Sequence, residues 1–99
     1  LKAHFRDDGL YNSLDNDGKV MYVHIFARLN DTDKEFAGIM ILQDQWVYSN
    51  RTFAEAVNVG VQKVKDFIKR MIDAGRIQVD VVTVQSTGFN KRQLLTWLY

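Results

Sequence analysis

Alternate residues of the stretch 20–28 are Val20, Tyr22, His24, Phe26 and Arg28, a row that combines two phenyl rings, a titratable imidazole and a fixed cation. On a solvent-facing strand such a row stacks the bases of a single-stranded nucleic acid, at about 1–3 kcal/mol per base, while the guanidinium stacks or meets phosphate. Lys2, His4 and Arg6 alternate in the same way near the start of the chain and would extend that face with positive charge if the two strands are neighbours. Trp46 and Tyr48 continue the aromatic series. His24 would add a contact that strengthens on protonation, since imidazole titrates near a pKa of about 6.5. The competing reading is that Tyr22 and Phe26 pack under a helix or against a partner.

Other chemistry finds less support. Asp15-Asn16-Asp17-Gly18 opens like a calcium loop, but the later ligands, above all a bidentate glutamate at position twelve, do not fall in register, and a turn is the better reading. His4 and His24 lack the spacing of zinc ligands. There is no glycine-rich phosphate loop, no nucleophile elbow and no assembled triad, so no enzyme, catalytic residue, metal or cofactor is expected. Lys63, Lys65, Lys69 and Arg70 have Asp66 and Asp73 among them and read as a solvated helix face. Trp97 and Tyr99 read as core.

Ninety-nine residues, 46% hydrophobic and 25% charged, make a single globular domain, residues 1–99. The absence of cysteine excludes a disulfide framework and fits an intracellular compartment. Thirteen basic against twelve acidic residues give +1, too weak a field to announce nucleic acid by itself. The longest apolar run, Ile39-Met40-Ile41-Leu42, is far short of the roughly 20 residues that span a bilayer, so no membrane association is expected. Leu1 in place of an initiating methionine reads as a trimmed chain.

These residues must be positioned by a small set of elements. Period-two alternation predicts strands over 1–6 and 19–29, the second being the clearest signal. A loop at 30–34 precedes a central strand at 35–43, which is continued at 46–48 after a tight turn at Asp44-Gln45. Thr52 and Glu55 fit a reciprocal cap for one long helix over 53–74, with its apolar stripe at Phe53, Val57, Val61, Val64, Ile68 and Met71. Gly75 supplies the stop. A strand at 77–83 follows, then a loop at 86–90, and the last segment, 91–99, reads as a strand, because Thr, Trp and Tyr suit a pleated surface, with a short helix as the alternative. The order β-β-β-α-β-β is that of a five-stranded OB-like Greek-key barrel, mainly β with one long helix.

The sequence resembles the single-stranded DNA-binding proteins of the small protein-primed tailed phages of Bacillus. The likeness lies in Ser13-Leu14 followed by Asp17-Gly18, in Tyr48-Ser49 followed by Ala54-Glu55-Ala56, and in Val79-Asp80-Val81-Val82 leading to Ser86-Thr87-Gly88. The resemblance implies a non-catalytic OB-like protein that coats and protects displaced strands during phage DNA replication, in the host cytoplasm. It also implies DNA contact at Tyr48, whereas a second family tyrosine falls at Leu29. The expected function is therefore sequence-independent single-stranded DNA binding through Tyr22, His24, Phe26, Arg28, Trp46, Tyr48, Lys2, His4 and Arg6. The alternative is a phage-encoded interaction module that docks a host protein through the same aromatic face. The first reading predicts that Tyr22→Ala with Phe26→Ala weakens DNA binding while the far-UV circular dichroism stays native.

Overall fold

A computed structural model describes residues 9–29, 32–36, 38–85 and 89–98, with backbone alone for 85, 89 and 90. The expected first strand at 1–6, with Lys2, His4 and Arg6, lies outside the described residues, as do residues 86–88 of the expected loop. The remaining elements are α1 (Gly9–Asn12), α2 (Asn16–Arg28), β1 (Lys34–Phe36), β2 (Ile39–Ile41), β3 (Gln45–Tyr48), α3 (Asn50–Val57), α4 (Val61–Asp73), β4 (Ile77–Gln85) and β5 (Phe89–Trp97).

The expected barrel is not formed. Among the described residues, four helices accompany two separate antiparallel sheets, a two-stranded β1-β2 ribbon and a three-stranded sheet in the order β3-β5-β4. Neither closes on itself.

The largest correction concerns the stretch 19–29, which is helix and not strand. A run this rich in apolar residues satisfies period 2 and period 3.6 together, and the N-terminal cap decides between them. The Asp15 carboxylate accepts from the Gly18 backbone N–H at 2.8 Å. A Cβ at Gly18 would stand 2.9 Å from that carboxylate oxygen and 3.0 Å from the Leu14 Cβ, so glycine is what lets the cap close. Leu14, Gly18, Met21, Tyr22, Ile25 and Leu29 then fall on one buried face, while Val20 and Val23 are exposed.

The single long helix is also corrected, into α3 and α4. Ser49, not Thr52, caps α3: its hydroxyl accepts from the Thr52 N–H at 3.2 Å. Glu55 faces Arg51 instead of closing a reciprocal cap. The chain leaves α3 at Asn58, which sits in the left-handed region at φ 58° and ψ 48°, and re-enters helix after Gly60. Asparagine tolerates that conformation better than any branched residue. The stop at Gly75 stands: with φ 73°, it lets the Arg76 N–H reach the Met71 carbonyl at 3.1 Å and its own N–H reach Ile72 at 2.9 Å, the paired closure of a Schellman motif.

The expected strand at 35–43 is instead the β1-β2 ribbon, reversed near Gly38 at φ 90°. A turn at Asp44, φ 63°, leads into β3 as expected, and both closing strands form. Their register pairs Ile77 with Trp97 and Val79 with Leu95, while β3 pairs Trp46 with Leu95. Helices α2, α3 and α4 cover this sheet, and one core joins Tyr22, Ile25, Phe53, Val64, Phe67, Met71, Ile77, Leu95 and Trp97.

Because the turn between α3 and α4 depends on one left-handed residue, Asn58→Gly is expected to leave stability within about 0.5 kcal/mol of the parent. Asn58→Val should lose about 1–2 kcal/mol, read from urea unfolding.

Candidate nucleic-acid interface

The segment from Ser49 to Asp73 is two helices joined by the three residues Asn58, Val59 and Gly60. Small and apolar residues hold the pair together: Phe53 and Ala54 of α3 are buried, as are Val64, Phe67, Ile68 and Met71 of α4. The buried positions of α4 recur at steps of three and four, so the opposite row, Gln62, Lys65, Asp66, Lys69 and Asp73, faces solvent.

The cations on this helix are not equivalent. Lys63 is spoken for by the N-terminus of α2, its Nζ lying 2.8 Å from Asp17 Oδ2 and 3.4 Å from Asp15 Oδ2. The Asp17 hydrogen bond, with both carboxylates nearby, raises the Lys63 pKa, and the Gly18 N–H holds the Asp15 carboxyl below its ordinary range. Arg70 donates to the Ser13 hydroxyl at 2.9 Å. Among the described residues, Lys65 and Lys69 have no acidic partner, and neither does the exposed Lys91 on β5. Strand β4 continues directly from the end of α4 and packs beside it, so the β4-β5 hairpin flanks the helix pair.

The residues expected to form the aromatic face divide into two groups. Tyr22 is 1% exposed and lies inside the core, with ring centroids 5.2 Å from Tyr11, 5.1 Å from Phe26 and 5.5 Å from Trp97. Tyr48, at 4% exposed, is likewise core, stacked on Trp46 at 4.7 Å, and burial pushes its phenol pKa well upward. Phe26 is half-buried, 4.4 Å from Trp97. No base can reach Tyr22 or Tyr48 without displacing the core, so these two positions are corrected from contact to packing. His24, Trp46 and Arg28 stay together nearer the surface: His24 stacks on Phe53 at 5.3 Å and meets Trp46 edge-on at 5.6 Å, with Arg28 one turn along an exposed face.

A second surface feature lies beside Trp46. The β1-β2 ribbon leaves Phe36 and Met40 more than half exposed, and a groove of about 250 Å³ runs between Lys34, Glu35, Phe36, Ile41, Trp46 and Val47. Among the described residues no three metal-ligating side chains converge, and no helix is long and apolar enough to cross a membrane.

Comparison of the chain with known protein families, with curated proteins and with solved structures finds no match.

The sequence places Lys65 and Lys69 on a solvated face because Asp66 stands between them and Asp73 one turn beyond. The missed signal is Asn58-Val59-Gly60, a turn-forming triplet between two amphipathic segments.

Two outcomes follow from the packing. Tyr22→Ala with Phe26→Ala should abolish the folded far-UV signal, because truncating one buried ring costs about 3–5 kcal/mol against a total of about 5–15. Desolvation first, then the Arg28 charge, lowers the His24 pKa. The folded state therefore resists a proton that the unfolded chain accepts, and stability should fall as pH drops past about 6.5 and level off below the lowered pKa. His24→Phe, which keeps the ring and removes the titration, should flatten the urea midpoint between pH 7 and 5 relative to the parent.

Proposed function

We propose that the chain binds duplex DNA through α3, its turn and α4, used as a helix-turn-helix, with the β4-β5 hairpin as a flanking wing. The observation that carries this reading is the pair of helices joined by three residues, the second with a buried inner row and an exposed outer row of Gln62, Lys65, Asp66, Lys69 and Asp73. An α-helix with its side chains is about 10–12 Å across, and the major groove is about 12 Å wide. In this motif the second helix enters the groove and the first crosses the backbone. Lys65, Lys69 and Lys91 supply local positive charge where the whole molecule, at +1, supplies little. Each phosphate they meet releases condensed counterions, which makes affinity steeply salt-dependent.

Single-stranded binding, expected from the alternating aromatic row and from the phage resemblance, would rest, among the described residues, on Phe26, Trp46, His24 and Arg28, with Tyr22 and Tyr48 in the core. Docking to a protein is a second reading, favoured by Phe36 and Met40 on a ribbon only three residues long.

Fluorescence anisotropy with a labelled duplex and with either of its strands, at two salt concentrations, separates these readings. The duplex should bind more tightly than the strands, and Lys65→Ala with Lys69→Ala should lower its affinity about tenfold and reduce the salt slope by about two. Binding to strands alone, or a double variant with parental affinity and a native far-UV spectrum, would contradict the proposal.

A further inference from the structure

Gln62 is the second residue of α4, one turn before Asp66 on the same exposed face. Its Nε2 donates to Asp66 Oδ1 at 3.0 Å. A carboxylate accepts and does not donate, so this contact fixes which end of the planar amide is nitrogen and which is oxygen. It uses one of the two N–H donors and leaves the other, together with the carbonyl oxygen Oε1.

One donor and one acceptor on the same amide match the major-groove edge of adenine, where N7 accepts and the N6 amino group donates. Guanine offers two acceptors there and would set O6 against Oε1. Cytosine offers a donor only, and thymine an acceptor beside a methyl group. In a helix-turn-helix it is the N-terminal residues of the second helix that reach the base edges, and Gln62 holds that position. We propose that Gln62 reads one A·T base pair in the major groove and that Asp66 is the positioning residue that holds its amide. This inference rests on the duplex reading above. Asp66 has a second consequence: a negative charge one turn into a groove-bound helix repels backbone phosphates, weakening binding wherever the base contact is missing.

The test uses the whole chain and a pool of duplexes with a randomised core of about 16 base pairs, the retained fraction being sequenced. The parent should enrich A·T at one position about tenfold. Gln62→Ala should lose enrichment at that position and leave the rest of the profile unchanged. Asp66→Ala should lose most of the same enrichment while retaining more duplex in total, a shift that a merely structural residue would not produce. Both side chains are exposed, and far-UV circular dichroism checks that the variants fold. A Gln62→Ala profile identical to the parent's, or a parent profile with no enriched A·T position, would overturn the inference and leave duplex binding standing. No retention of any duplex by the parent would overturn the helix-turn-helix reading and this inference with it.

Discussion

Tyr22 is the contact on which the rest of the arrangement depends. Its ring meets Tyr11 of α1, Phe26 one turn further along α2 and Trp97 of β5, and its hydroxyl accepts from Arg76 at 3.3 Å in the link between α4 and β4. One side chain on α2 therefore fixes a neighbouring helix, the closing strand and the exit of α4. A second chain of rings, Trp46, Tyr48, Phe53 and His24, ties α2 to β3 and α3. Tyr22, Tyr48, Phe53 and Trp97 share one core with Val64, Phe67, Ile68 and Met71, the buried face of α4.

Magnitudes explain why the aromatics went inward. Burying one Tyr or Phe ring removes about 150–250 Å² from water, which at about 25 cal/mol per Å² exceeds the 1–3 kcal/mol that a stacked base would return. A chain of 99 residues has few large side chains from which to build a core, and spending Tyr22 and Tyr48 on a ligand surface would leave the sheet uncovered. On α4 the outward row, Gln62, Lys65, Asp66, Lys69 and Asp73, stays polar opposite an inner row of Val64, Phe67 and Met71.

What was legible in the sequence follows from how unambiguous each local signal is. The strand β4 is readable because Ile77, Val79 and Val81 alternate, β5 less so because Leu95 and Trp97 also suit a short helix, and Gly75 is readable because little else terminates a helix that way. Helix α2 was misread because its apolar residues fit both periods, and because Asp15 looked like a turn residue when it is a cap. The long helix was misread because the step from Val57 to Val61 keeps the apolar stripe in phase across a turn. Of the candidate site, Lys65 and Lys69 were visible only as charges; what they face depends on the break at Asn58, which a stripe in phase conceals. The ribbon at Phe36 and Met40 was hidden by an apolar run that suits a central strand equally well.

The most direct measurement is a titration of the uniformly ¹⁵N-labelled chain with a short duplex, following backbone amide shifts residue by residue. The largest changes are expected on α4 and on the flanking β4-β5 hairpin, with the amides around His24, Trp46 and the β1-β2 ribbon nearly still. Changes centred on Trp46 and the ribbon, with α4 unmoved, would contradict the duplex reading.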